Sequence, residues 1–361
     1  MIKYHYTLCI LLALLVSSCV SIDLVSIDYL QPAKVIFPPE IKTVGIVNNI
    51  IARKEKSVIN KTDQSHSTES AFQGDGKTAT ESFAKNIAEA NYFDKVIICD
   101  SVLRGNDLFP REQQELSQEE VRQLTSDLGV NVIFSVEDVT IKTIEKTDFI
   151  NNLFRSTIDA KISPIVKVYA PSRSKPFIAT APEDSIFWEG YGITPEDAKN
   201  DLIKEDSLMK EVSEFAGELP TKYLLPTWKS ENRIYYISGS LELRDGGVLV
   251  REGSWNDALK LWLIANNKKS DKIKMRTAFN IALYYETHDE IDKAIEWAKK
   301  AFQIVNSKEN KEKSPQSTES EAPKNYSQDY LIIANYLMQL TQRKEDIQIL
   351  DLQMKRFNDN N

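Results

Sequence analysis

Gly76-Lys77-Thr78, inside GDGKTATESF, reads like the end of a phosphate-binding loop. Such a loop cradles phosphates on backbone N–H groups, sets its lysine on them and its hydroxyl on a magnesium ion. The full pattern needs a glycine five residues before Gly76, where Ala71 stands, and a strand leading straight into the loop. Neither condition is met, so a turn opening a helix is the simpler account. A second set joins Asp100, Glu137 and Asp138 with Asn48 and Asn49, all at the ends of predicted strands. Open α/β sheets bind ligands at the carboxyl edge of their parallel strands, which makes this edge a candidate site. No histidine or cysteine accompanies it, and solvated strand ends are the simpler explanation. His66 and His288 have no Cys or second His at ligand spacing, so no metal is expected. Trp188 and Tyr191 flank Gly190 and would suit stacking on a sugar, although strand aromatics more often fill a core. Cys99, in the apolar run KVIICDS, is expected to be a buried, inert thiol.

The chemistry with the firmest spacing is at Cys19. Lys3 precedes an apolar run over residues 8–16, about half the length a bilayer-spanning helix needs, and Ser17 and Ser18 are small. Val16-Ser17-Ser18-Cys19 resembles the bacterial lipobox. That resemblance implies a signal peptide over residues 1–18, cleavage before Cys19 and acyl chains on its sulfur and amine. An anchor of two or three chains holds a soluble body stably on a membrane. Val20 follows the cysteine where an aspartate would favour the inner membrane, and no acidic cluster follows. The expectation is therefore the periplasmic face of an outer membrane.

The chain has 361 residues, 42% hydrophobic and 27% charged, with a net charge of −8. That composition suits two folded domains, and an acidic chain without a basic tract argues against nucleic acid as a partner.

Residues 19–230 alternate strand and helix. TVGIV at 43–47 is an apolar, β-branched strand, residues 53–73 read as a polar loop or insertion, and residues 78–90 carry a helical apolar face. FDKVIICDS is the next strand. Ser117 and Glu120 form a capping box, and Gly129 closes the helix it opens. VNVIFSVEDVTIKT follows, giving β-α-β-α-β with parallel neighbours. STIDAKISPIVKVYA and DSIFWEGY then alternate as antiparallel strands do, with Pro164 marking an edge or bulge. Thr194 caps a helix with Pro195 at its first position, and Pro220 kinks or ends it. A mixed-sheet α/β domain is the fold expected.

From residue 240 to 361 the pattern is all-α. MRTAFNIALYYETHDEIDKAIEWAKKAFQIVN resembles a tetratricopeptide repeat, with Ala282 and Tyr285 on the first helix and Ala294, Ala298 and Ala301 on the second. A weaker copy places Gly246, Leu249, Ala258, Trp262 and Ala265 at equivalent offsets. DYLIIANYLMQL and EDIQILDLQMKRF read as a third, capping pair, and residues near 307–325 as a disordered insertion. By the repeat's offsets Arg276, Phe279, Leu283 and Glu286 face a concave groove, with Arg251 nearby, suited to an extended peptide or helix; the plainer alternative is that the helical face simply stabilises the first domain.

YFDKVIICDSVLR, SVEDVTIKT and FWEGYG, with the lipobox and the terminal helices, resemble an uncharacterised lipoprotein family of the Bacteroidota. The α/β region is similar to the small domain of the curli-secretion lipoprotein and the amino-terminal domain of TolB. The resemblance implies no known activity. The expected protein is a non-enzymatic, cofactor-free scaffold held to a membrane by its lipid and binding another envelope protein. The alternative is a carbohydrate-binding uptake lipoprotein of the SusD type, from which this chain departs in length and in the order of its regions.

Overall fold

The first described strand, β1 (Ile22–Gln31), does not join the sheet that follows it but pairs with the last strand, β10 (Thr227–Tyr236). The protein is described by a computed structural model covering residues 21–52, 57–59, 67–104, 115–312 and 326–358. It divides into two compact units. One comprises the chain up to Gln31 with Trp228–Ile349; the other comprises Pro32–Thr227 and the chain from Leu350 onward. The fold is α+β, with a mixed sheet in the amino-terminal half and helices in the carboxy-terminal region.

In the sheet unit β2 (Thr43–Asn48) lies between two parallel neighbours, β5 (Lys95–Val102) and β6 (Val132–Ile150). Both crossovers are helical, α1 (Gly76–Glu89) and α2 (Gln118–Leu128), as the alternating pattern requires. β2 is buried on both faces. Val44 and Ile46 join Phe83, Ile87, Phe134 and Val212 in one core, while Val47 joins Val121, Ile133 and Tyr169 in another. The capping box forms as expected: Glu120 N donates to Ser117 Oγ, Glu120 Oε2 accepts from Ser117 N, and Gly129 ends α2 at φ +63°.

β6 is a long strand whose second half pairs antiparallel with β4 (Ser67–Gln73), itself paired with β3 (Ser57–Ile59). Part of the stretch expected as a polar loop over 53–73 is therefore strand, because backbone pairing with β6 outweighs a polar side-chain pattern. From Ile133 to Ile150, with one register shift between Val136 and Asp138, β6 also pairs with β7 (Leu153–Tyr169). Beyond β7 lie β8 (Ile178–Thr180) and β9 (Asp184–Gly192). Pro164 stands where β9 pairing has ended at Ile162 and β8 pairing has not begun, so its missing N–H breaks no ladder.

Thr194 and Asp197 cap α3 (Pro195–Asn200), and a separate helix, α4 (Glu205–Leu224), follows. The single helix expected there is broken at residues 201–204, and Pro220 lies inside α4 rather than at its end.

The helical unit contains two antiparallel pairs, α5 (Leu241–Arg251) with α6 (Trp255–Asn266), and α7 (Asp271–Thr287) with α8 (Ile291–Glu312). Ala258, Ala265, Ala282, Ala294, Ala298 and Ala301 are all buried, so small residues lie at the helix contacts. Gly246 shows why: a Cβ there would stand 2.4 Å from Trp262 Nε1. α8 continues through residues 307–312, which the composition had suggested were disordered; residues 313–325 lie outside the described residues. The expected third pair is one continuous 31-residue helix, α9 (Gln328–Asn358), since nothing between Leu340 and Glu345 breaks a helix. Its residues to Ile349 belong to the helical unit and those beyond to the sheet unit.

Candidate functional site

The face of α7 expected to line an open groove is covered by the protein's own β10. Asn280 holds that strand by its backbone: Tyr236 N donates to Asn280 Oδ1 and Asn280 Nδ2 donates to Tyr236 O, each at 2.8 Å. Phe279 packs edge-on against Tyr236 with centroids 5.3 Å apart and against Tyr336 at 4.7 Å. Arg276 donates to Ser238 O and Oγ, both at 2.8 Å, with its guanidinium 5.0 Å from the centre of the Tyr236 ring. This is the chemistry by which a helical groove takes an extended segment, backbone by amide and side chain by aromatic pocket. Here the segment belongs to the same chain.

Glu286 lies at the far end of that groove with no exposed surface. Its carboxylate accepts from Arg233 of β10 at 3.0–3.2 Å, from Tyr336 Oη at 2.9 Å and from Arg343 Nη1 at 3.0 Å. Arg233 Nη1 also lies 2.8 Å from Glu231, which accepts from Tyr29 of β1 at 2.7 Å. Burial by itself would lower the Arg233 guanidinium, but Glu286 and Glu231 outweigh it and hold the charge. Burial, reinforced by Glu286, drives the Tyr336 phenol well above its usual range. Burial and Glu231 push Tyr29 to about 12. Buried charges are tolerated only in such paired sets.

β1 lies antiparallel to β10, since partners move in opposite directions along the two strands: Ser21 with Ile237, Asp23 with Tyr235, Asp28 with Ser230. Asp23 accepts from Tyr235 Oη at 2.9 Å and from Arg251 Nη1 at 3.0 Å. The adjacent Leu24 N–H, at 2.8 Å, is the leading cause of its carboxyl lying below the usual value.

Four of the expected partner-binding residues are thus interior. Arg276 is 6% exposed, Phe279 2%, and Leu283 and Glu286 0%; β10, Tyr336 and Arg343 occupy the space a partner would need. Arg251 is the exception, exposed and paired with Asp23. Cys19 lies outside the described residues, as does His66. β1 belongs to the helical unit, so the α/β region begins after Gln31 instead of at residue 19.

The polar sheet edge is also drawn inward. Glu137 is 1% exposed; Asn49 Nδ2 donates to Oε2 at 2.8 Å and Tyr169 Oη to Oε1 at 3.0 Å. Burial raises the Glu137 carboxyl, and burial with Glu137 beside it raises the Tyr169 phenol. Asp138 instead accepts from Gln73 and Thr140, and Asn48 Oδ1 accepts from Ile50 N. Asp100 lies on β5, its side chain outside those described. These groups brace strand ends. Among the described residues no cluster of three or more His, Cys, Asp or Glu is arranged to hold a metal. Cys99 is half-buried beside the Ser101 hydroxyl rather than sealed in the core.

The residues that the sequence did not single out are Asn280, Arg233, Tyr336 and Arg343. One signal was available: α7 is buried around most of its circumference, so a polar residue such as Asn280 between Phe279 and Ile281 must answer another buried polar group.

An α+β protein with a mixed-sheet unit and a unit of helices is the class these features define. Residues 41–236 match a domain of unknown function, DUF8603, and the protein belongs to that family. Residues 244–342 match a second domain of unknown function, DUF6340. No curated protein and no solved structure matches the chain.

Proposed function

We propose that the protein is a non-enzymatic scaffold of the cell envelope, held by a lipid on Cys19 to the periplasmic face of an outer membrane and presenting its folded units to another envelope protein. One observation carries this reading. The Ser21 carbonyl, two residues beyond Cys19, already accepts from Ile237 N at 3.1 Å, and Asp23 is pinned by Tyr235 and Arg251. Two residues of extended chain reach about 7 Å. A lipid at Cys19 would therefore hold the helical unit directly at the bilayer, with no flexible spacer. Such a tether raises the local concentration of the protein for neighbours in the same membrane.

The partner surface in this reading is not the α7 groove, which β10 fills. Among the described residues no helix is long and apolar enough to cross a membrane, so the attachment proposed is the lipid.

Intact-mass analysis of chain extracted from membranes tests the anchor: a diacyl or triacyl adduct on a chain beginning at Cys19 is expected, with Cys19→Ala abolishing it. An unmodified amino terminus at that position sinks the reading. Crosslinking in membranes followed by purification tests the scaffold role, for which an enriched envelope protein is the expected outcome.

A further inference from the structure

The end of the helical unit that carries Ser21 gathers a lysine-rich connection and an apolar cavity. Ser21 bonds Ile237, and the next residue, Ser238, accepts from Arg276 in the second turn of α7. The amino terminus of α5, the carboxyl terminus of α6 and the start of α7 meet here, as Lys268 Nζ to Glu242 at 2.6 Å and Thr277 Oγ1 to Asn266 at 3.0 Å show. The connecting sequence NNKKSDKIK holds Lys268, Lys269, Lys272 and Lys274 against one acid, Asp271, in a protein whose net charge is −8. Glu242 pairs with Lys268, which still leaves a cationic excess. Leu241 is 65% exposed at the same end.

A cavity of about 340 Å³ opens beside these lysines. Met275, Ile304 and Val305 give it an apolar lining, and Lys272, Lys308 and Asp329 stand around it. Asp329 accepts from Tyr236 Oη at 2.9 Å, which ties the cavity wall to the residue just before Ile237. Its size lies within the range of sites that take small apolar ligands, about 300–1,000 Å³.

We infer that this end is a docking surface for an anionic phospholipid bilayer, its lysines on headgroup phosphates and the Met275–Ile304–Val305 cavity receiving an acyl chain. The occupant follows from charge and from chain path. The cationic excess matches anionic headgroups, and the chain leading to Cys19 leaves the unit here. Basic residues at a membrane surface are attracted to anionic headgroups whether or not the chain is also lipidated. The orientation rests on the anchor reading above, whereas the affinity for lipid does not.

The test separates the two by using unacylated chain beginning at Val20, which keeps every described residue. It is sedimented with vesicles of phosphatidylglycerol or of phosphatidylcholine. Binding to the anionic vesicles that weakens with salt is expected, with none to the neutral ones. Each lysine near an anionic surface is worth about fivefold in partitioning, so Lys269→Glu with Lys272→Glu should lower binding by at least about 20-fold. Lys299→Glu, in the middle of α8, is expected to leave it unchanged. Phosphatidylglycerol carrying a photoreactive acyl chain should label residues 272–275 and 304–308. Equal binding to both vesicle types, loss of binding in neither lysine variant, or labelling confined to other regions overturns the inference, even if Cys19 proves to be acylated. Vesicle binding as expected with an unacylated native terminus would instead sink only the anchor reading.

Discussion

Asn280 and Tyr236 form a closed pair in which one side-chain amide satisfies both backbone polar groups of a buried strand residue. Tyr236 and Asn280 are both without exposed surface, so neither backbone group has water as a substitute. An unsatisfied buried donor or acceptor costs about 1–3 kcal/mol. Asn280→Leu keeps the branched heavy-atom shape and removes both bonds, and is expected to destabilise the protein by about 2–4 kcal/mol in urea denaturation. A shift of a few tenths would mean that β10 is held by packing alone.

Glu286 faces two guanidinium groups and a phenol with no solvent near it. Removing one member of such a set leaves the others uncompensated, at a cost of about 3–5 kcal/mol. Glu286→Gln should therefore lower the thermal midpoint sharply. Replacing the whole set, Glu286→Leu with Arg233→Met, Arg343→Met and Tyr336→Phe, should recover much of the loss because apolar side chains carry no desolvation cost. If the fourfold variant is worse than the single one, the network contributes net stability.

The parallel sheet was readable because β2, β5 and the first half of β6 are apolar runs separated by capped helices, and local chemistry such as the Ser117–Glu120 box fixes where a helix starts. The antiparallel helix pairs were readable from their alanines, which contact geometry demands. The content of the groove was not. Repeat offsets report which side of α7 is concave, but whether solvent, a partner or the chain itself fills it depends on contacts such as Glu286 with Arg233, which is 53 residues distant in sequence. Strand β1 was hidden for the same reason, since its alternation, IDLVSIDYLQ, is compatible with any sheet and only its cross-strand partners assign it to the helical unit. Gln353 repeats the theme in the sheet unit, accepting from Ala33 N at 3.1 Å and donating to Ala33 O and Val35 O at 2.9 Å.

Glu120 and Glu137 should give opposite pH signatures. For Glu120, partial burial works against ionisation, yet the Ser117 N–H and Arg104 hold the carboxyl to about 2, below its ordinary 4.5. The native state thus favours the ionised form. Its contribution is present above about 4.5 and lost as pH falls through about 2. For Glu137, burial raises the carboxyl above 4.5, so the native state favours the protonated form. That contribution is full below 4.5 and lost as pH rises through the raised value. Glu120→Gln should therefore weaken the protein most at neutral pH and least near pH 2. Glu137→Gln should flatten the fall in stability above pH 4.5, with the Tyr169 hydroxyl free to accept from the new amide. Denaturation midpoints across pH 2–8 for each variant check both signs, and parallel curves for the two would refute the assignment.

The hairpin joining β6 to β7 turns on Asn151 and Asn152, at φ +53° and +65°. Two consecutive left-handed residues make the turn whose twist matches that of the flanking strands, and asparagine adopts them at less cost than other side-chain-bearing residues. The turn closes the β6–β7 ladder of 17 residue pairs, in which Ile141 faces Ile162 and both are buried. Asn152→Gly should hold or slightly raise stability, since glycine takes this conformation without a Cβ clash. Asn152→Val should cost about 1–2 kcal/mol, because a β-branched residue resists positive φ. A one-residue slip of the ladder would turn every inward side chain to the opposite face, so the strain should appear as lost stability with the register kept. Amide exchange checks this: residues 140–144 should stay protected in Asn152→Val while the denaturation midpoint falls, and loss of that protection would show that the turn, not the core, sets the register.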